Sequence, residues 1–276
     1  MNSKDRKFVI KSDGTRVPFE YGKVRRTCMR AGASRKLATI IANRIAGQIR
    51  QDTDTREVYR MVLRALSSED AGRVVRHRYR LKESIMRLGP SGTKFEEFVA
   101  RILEARGYQI LSLRSEIGGE CVRHEVDISA HCKEDNKNYM IECKYHSLQG
   151  IFTGIKESLY THARFLDLRE HFDAEMLVTN TKVSEDVMTY SSCIGQEILS
   201  WRYPRDRGLE RLIEENGLYP LTILPLSKNE VLVFYKIGIS MAKDLLSRDP
   251  VDLSRKTGIS ASRIRSLQDL TREIIS

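Results

Sequence analysis

The spacing of apolar positions changes character along this chain, and each change marks a predicted element. Phe8-Val9-Ile10 and Arg16-Val17-Pro18-Phe19 read as two short strands joined across Asp13-Gly14, a dipeptide suited to a tight hairpin turn. Beyond them apolar residues recur every three or four positions over Tyr21–Ala31, Leu37–Arg50, Thr55–Leu66 and Asp70–Met86, as in Val58, Met61, Val62 and Ala65, which predicts helices only. A helix over Lys94–Arg106, closed by Gly107, opens a different pattern. Strands are predicted at Tyr108–Arg114, Val122–Ala130 and Tyr139–Tyr145, then a helix at Thr153–Glu170, a strand at Glu175–Thr179, a helix at Ser184–Ser192 and a strand at Glu197–Trp201. That order fits an α/β sheet with helices on both faces. After a polar break at 202–208, Leu209–Glu215 and Ser240–Ile275 are helical by pattern. Asp249-Pro250 supplies a cap and a first-turn proline, and Ser260 caps a last helix with Ile264, Leu267 and Ile274 inward.

Charge sharpens these divisions. The 276 residues carry 47 Lys plus Arg and 37 Asp plus Glu, a formal net charge of +10. Residues 1–90 hold 22 of the cations and 9 of the anions, so the whole basic excess lies in the first third and the remainder is slightly acidic. With the turn residues Gly89-Pro90-Ser91-Gly92, this predicts a multidomain α/β protein divided at 1–90, 91–203 and 204–276. The 41% hydrophobic content excludes wholesale disorder. No apolar run approaches the ~20 residues of a membrane span, and the polar N-terminus lacks a signal-peptide stretch, so a cytoplasmic protein is expected. Five cysteines without a CxxC pair argue against disulfides and a zinc ribbon; Cys121, His124, His131 and Cys132 are spaced too irregularly for zinc.

In the basic third, Val9-Ile10-Lys11-Ser12-Asp13-Gly14, Val17-Pro18-Phe19, Lys23-Val24-Arg25-Arg26 and Tyr79-Arg80 carry a resemblance to the ATP-cone domain over about residues 7–88. The family is a nucleotide-sensing module, and the resemblance implies ATP or dATP as a regulatory ligand. It implies Lys11 and Lys23 on the phosphates, Val9 and the hairpin backbone beside the base, and Thr55 and Tyr59 nearby from the third helix. Converging lysines suit a triphosphate. Ser12 departs from the basic residue often found there. Gly89-Pro90-Ser91-Gly92-Thr93-Lys94 lacks the ending and preceding strand of a P-loop and reads as a linker.

In the middle third, alternation along Tyr139-Met140-Ile141-Glu142-Cys143-Lys144-Tyr145 puts Glu142 and Lys144 on one face, roughly 7 Å apart. Asp127, opposite the apolar face of Val126, Ile128 and Ala130, can converge with them through a hairpin at Lys133–Asn138. Two carboxylates sharing a face repel unless compensated, and a divalent cation would compensate them. A solvated face with an ion pair is the plainer alternative. Gly92-Thr93-Lys94-Phe95-Glu96, Gly107-Tyr108, Glu125-Val126-Asp127-Ile128 and Ile141-Glu142-Cys143-Lys144-Tyr145, in that order, resemble the Mrr-like branch of the PD-(D/E)xK restriction endonucleases. The resemblance implies a restriction-endonuclease-like sheet domain, Asp127, Glu142 and Lys144 as catalytic core, Glu96 assisting, and Mg²⁺ or Mn²⁺ on Asp127, Glu142 and Glu96. Periodicity places Glu96 at the edge of the buried stripe Phe95, Phe98, Val99, Ile102 and Leu103, and Glu97 opposite it, within reach of Arg101.

Lys156, Tyr160 and Arg164, at four-residue spacing on the next helix, could hold DNA phosphate. The tail, with Gly258 at a tight turn and Arg263 after it, resembles helix-hairpin-helix modules and equally a helix-turn-helix. These features converge on a Mg²⁺-dependent DNA endonuclease whose activity, or assembly as a homo-oligomer, responds to ATP or dATP. The alternative is a nucleotide-responsive DNA-binding regulator on a non-catalytic nuclease fold.

Overall fold

The computed structural model describes residues 7–89, 92–148 and 150–276. The start of the N-terminal stretch read as lacking a signal peptide, and Pro90 and Ser91 of the expected linker, lie outside the described residues. Two compact units are formed. One holds residues 7–81 with 269–274 and 276, the other residues 82–268 with 275.

In the first unit β1 (Phe8–Ile10) pairs antiparallel with β2 (Arg16–Pro18). The turn is closed by Lys11 N–H to the Thr15 carbonyl at 2.9 Å, and Gly14 adopts φ +81° at the position where the Asp-Gly signal calls for glycine. Next come α1 (Tyr21–Arg30), α2 (Arg35–Gln48), β3 (Thr53–Asp54), α3 (Thr55–Ser67) and α4 (Gly72–Tyr79). The helices bury Val24, Cys28, Leu37, Ile41, Ile45, Val62, Leu66 and Val75, the apolar stripes of the sequence. Strand β3 was not expected: its two residues pair parallel to β1, Val9 with Thr53 and Ile10 with Asp54, and are too few to show a period of their own. The helix expected over Asp70–Met86 is two, because Arg80 N–H closes back on His77 at 3.0 Å, a tightened turn that ends α4 before α5 (Leu81–Ile85).

The second unit contains α6 (Thr93–Ala105), β4 (Tyr108–Gly118), β5 (Arg123–Cys132), β6 (Lys137–Lys144), β7 (Phe152–Thr153), α7 (Ile155–Asp167), β8 (Ala174–Thr179), β9 (Lys182–Val183), α8 (Glu185–Ile194) and β10 (Glu197–Leu199). The main sheet runs β10-β8-β6-β5-β4. Strands β4, β5 and β6 form an antiparallel meander, and β8 and β10 add in parallel after helical crossovers. Helix α6 packs on the meander and α7 on β6 and β8. Buried Phe95, Phe98, Ile102, Ile128, Met140 and Ile141 fill the core. Strands β7 and β9 pair only with each other.

The remaining helices are α9 (Leu209–Glu215), α10 (Lys228–Lys236), α11 (Pro250–Thr257) and α12 (Ala261–Ile275). Asp249 caps α11, accepting from Val251 and Asp252 N–H at 2.9 Å each, and Gly258 ends it at φ +72°. All five cysteines are free. Among the described residues no helix is long and apolar enough to cross a membrane.

Candidate functional site

Strands β5 and β6 pair in register up to Ile128 with Ile141, whereas β6 stays paired with β8 as far as Lys144 with Thr179. One step past the last β5–β6 pair sets Asp127 opposite Glu142. There Asp127 reaches β6 with its side chain, Oδ2 accepting from Cys143 N–H at 2.7 Å. On the other side of β5, Arg114 lies between the pairs Leu113–Ile128 and Ser115–Val126 and so opposite Asp127. Arg114, Asp127 and Glu142 thus form one row across three strands.

Arg114 adopts φ +50°, uncommon for a residue with a side chain. From there its Nη1 donates to Glu96 Oε2 at 3.2 Å, and its Nη2 lies 3.7 Å from Glu97 Oε1. Glu96 is buried on α6. Glu97 pairs with Lys94 at 2.7 Å; the Arg101 expected to meet it turns to Asp244 at 3.1 Å, because Arg114 and Lys94 already occupy the Glu97 carboxylate.

The electrostatics of the row follow from burial and crowding. Burial, and then the neighbouring Asp127 charge, push the Glu142 carboxyl up to about 7, against the pull of Arg164 and Lys144. Asp127 is raised by burial although the Cys143 amide opposes it, and Glu96 by burial and by Asp127. Burial and the charges of Asp127, Glu96 and Glu142 push the Cys143 thiol well up, away from the thiolate form. Lys144 is exposed at the end of β6, close enough to lower both Asp127 and Glu142.

Sequence reasoning did not find the partner of Glu142. Arg164, on α7, is buried and donates Nη1 to Glu142 Oε2 at 2.5 Å, while its Nε, also buried, has no partner among the described residues. Its guanidinium also lies over the Tyr160 ring, 5.4 Å from the centroid. Lys156 and Tyr160 are exposed on the same helix. In the tail, Gly258 forms the turn, and Arg263 is engaged within the protein, with Nε 3.3 Å from Glu230 and Nη2 donating to the Pro225 carbonyl at 2.5 Å. Of the cations expected on DNA, Lys156 alone stands clear.

Asp127 and Glu142 are oxygen donors of the type a hard divalent cation takes, both raised by burial and Glu142 further by Asp127. Glu96 is a third acid, raised in part by the charge of Asp127. Each, however, already has a protein partner, and among the described residues no three His, Cys, Asp or Glu side chains stand close enough to hold a metal ion.

In the first unit, Val9 is buried between Val17 and Thr53. The parallel pairing of Ile10 with Asp54 lets exposed Lys11 and half-buried Thr55 leave adjacent strand ends side by side. Asp54 caps α3 with an Oδ1 bond to Arg56 N–H at 2.6 Å, and Tyr59, one turn on, stacks against Tyr79 at 5.6 Å between ring centroids. Lys23 is exposed on α1. Strand, hairpin and helix start therefore come together at Val9, Lys11 and Thr55.

Comparison with known proteins agrees with this part of the architecture. Residues 7–84 match the ATP cone domain family. An uncharacterized protein of Archaeoglobus fulgidus is 37% identical over 178 residues, covering 64% of this chain and 99% of the relative. A crystal structure of AF1548, titled a protein of unknown function, is similar with a TM-score of 0.56 and 36% identity, over 65% of this chain and 96% of that one.

Proposed function

The chain belongs to the family of AF1548 and the uncharacterized Archaeoglobus protein and carries an ATP-cone domain, and from that premise we propose that it is a metal-dependent DNA endonuclease under nucleotide control. The ATP-cone domain supports regulatory binding of ATP or dATP. The observation that supports the nuclease is the Asp127–Glu142 row at the splayed ends of β5 and β6, with Lys144 beyond it and Glu96 delivered from α6. The order helix, antiparallel meander, helix, parallel strand is the one that the apolar pattern of the sequence predicts.

In this reading Asp127 and Glu142, assisted by Glu96, hold Mg²⁺ or Mn²⁺. When bound, the cation supplies positive charge to a phosphodiester oxygen and acidity to a water. Lys144 orients that water and stabilises charge developing on the phosphate. Arg164 holds Glu142 in place, and its Nε, without a partner among the described residues, would be a further donor toward a phosphate.

Mg²⁺-dependent nicking of supercoiled plasmid DNA tests this. Asp127→Ala and Lys144→Ala proteins that remain folded are expected to lose at least a hundredfold in rate, the usual scale for a catalytic group; undiminished nicking in either sinks the assignment. The second reading, a nucleotide-responsive DNA-binding regulator, is favoured by one observation: Asp127, Glu142 and Glu96 are each satisfied by Cys143, Arg164 and Arg114. Salt-sensitive DNA binding that shifts with nucleotide, without cleavage in Mg²⁺ or Mn²⁺, would select it.

A further inference from the structure

Between β6 and the middle of α7 the chain turns two aromatic rings outward. Phe152 is 54% exposed and Tyr160 is 60% exposed. These two rings share a property: each has a cation against it. Lys182 Nζ lies 5.9 Å from the Phe152 centroid, and the Arg164 guanidinium 5.4 Å from that of Tyr160.

Neither ring hangs on a loose tether. Phe152 pairs with Lys182 in the β7–β9 ladder. Its neighbour Thr153 is fully buried in a knot of hydroxyls, Oγ1 lying 2.8 Å from Thr179 Oγ1, 2.9 Å from Thr181 Oγ1 and 3.1 Å from His146 Nε2. The His146 amide and carbonyl are in turn held by the Asn180 side chain at 2.9 and 2.8 Å. The fold thus buries a threonine and presents the adjacent phenylalanine, the reverse of what apolar burial alone would select. Tyr160 stands on a regular helix, fixed by the guanidinium beneath it.

Both rings connect to the carboxylate row. The arginine that touches Tyr160 is the one that holds Glu142. The segment that carries Phe152 is tied through His146 to the end of β6, two residues past Lys144. Lys182 pairs with Phe152, Lys156 stands one turn before Tyr160 and Lys144 ends β6, all three exposed, whereas Glu157, the acid nearest in sequence to the rings, is turned onto the start of its own helix, accepting from Gly154 N–H at 3.1 Å. Exposed rings alternating with lysines match a polyanion that offers flat apolar faces. Single-stranded DNA is such a partner; in a duplex the base faces are covered by stacking and pairing. Leu148, Ile151 and Leu159 are exposed in the same segment, and the lysines among them give it the charge that a polyanion takes.

We infer that Phe152 and Tyr160 are stacking platforms for unpaired bases, and that the DNA led to the Asp127–Glu142 row is single-stranded or frayed. The inference rests on the proposal that this unit acts on DNA, and it adds the substrate class.

The test is fluorescence anisotropy of the full chain in EDTA, where cleavage cannot intervene, with a labelled oligodeoxythymidylate and a duplex of mixed sequence. Phe152→Ala and Tyr160→Ala are each expected to weaken single-strand binding about tenfold, the scale of one lost base–aromatic stack, and Phe152→Ala to leave duplex binding unchanged, whereas Tyr160→Ala costs duplex binding less than it costs single-strand binding. Phe152→Trp, which keeps a stacking face, is expected to bind as the parent does. Both rings are exposed, so the variants should fold, and unchanged far-UV circular dichroism checks that. Single-strand affinity that survives both alanine changes, equal losses on single strands and duplex, or no DNA binding by the parent each overturns the inference. Ring-dependent single-strand binding without Mg²⁺-dependent nicking would leave the platforms standing and remove the nuclease.

Discussion

Lys82 shows how a single side chain can be held against its own charge. Its ammonium sits 5.6 Å from the Trp201 ring centroid, and burial, then the charges of Lys182 and Arg202, lower its pKa to about 8, with Glu210 opposing. In the unfolded chain the same group titrates near 10.5. Between those values the unfolded chain keeps a proton that the folded chain has released, so stability rises with pH across that window, and the full penalty is present below pH 8. Lys82→Met keeps the stem and removes the charge. It is expected to stabilise the protein at pH 7 by about 2 kcal/mol, the protonation penalty less a lost cation–π contact. Thermal unfolding at pH 7 and at pH 10.5 checks this: the advantage should fade at the higher pH, and a gain of equal size at both would mean that the charge is not its source. Arg114 makes a related point about legibility. Nothing in Leu113-Arg114-Ser115 marks it, because its reach to Glu96 comes from a left-handed backbone and a register that only the paired strands define. Glu96, by contrast, was legible, because helical period alone carries it to the edge of the buried stripe.

At the scale of elements, the β4–β5 connection depends on α7. Asp167, at the last position of α7, accepts from Cys121 N–H at 2.7 Å, Val122 N–H at 3.2 Å and the His124 ring at 2.7 Å. Burial would raise its pKa, but the His124 ring and the two amides hold it down to about 2. A Cβ at Gly119 would come 2.2 Å from Asp167 Oδ2 and 2.9 Å from its backbone oxygen. Gly119→Ala must therefore move the carboxylate off its donors. It is expected to lower the urea midpoint with an unchanged m-value, by about 1–3 kcal/mol of stability; an unchanged midpoint would show that the turn adjusts without Asp167. Such cross-element ties are what sequence reading misses. The long elements were visible because eight or more residues establish a period: β6, α6 and α7 fall where the apolar spacing puts them, within a few residues at their ends. Strands β3, β7 and β9, of two residues each, are products of pairing and have no pattern to read. The Glu142–Arg164 pair was missed for a related reason. Four-residue spacing sets Arg164 on one helical row with Lys156 and Tyr160, but which way a long side chain turns depends on the strand beneath it.

For the whole molecule, charge and function divide differently. The first 90 residues carry 22 Lys plus Arg against 9 Asp plus Glu, yet the carboxylate row and the exposed rings lie in the remainder, which is slightly acidic. A basic domain that merely held DNA would respond to salt and to any polyanion alike, whereas a nucleotide sensor must prefer a specific ligand. The ATP-cone match favours the second. A ligand that binds only the folded state stabilises it by RT ln(1 + [L]/Kd), about 2.7 kcal/mol at a hundredfold excess over Kd. ATP or dATP is therefore expected to raise the thermal midpoint by several degrees, tripolyphosphate much less, and Lys11→Ala to abolish the shift while leaving the midpoint without ligand almost unchanged, since Lys11 is exposed. If that binding controls the second unit, linkage makes the effect reciprocal: whatever factor the nucleotide applies to DNA affinity, DNA must apply to nucleotide affinity. Titrating nucleotide with and without single-stranded DNA in EDTA, and DNA with and without nucleotide, should give the same factor from both directions. A thermal shift with a factor of one in both titrations would leave a nucleotide-binding domain that does not govern DNA binding, and regulation would then have to be sought in the rate of cleavage alone.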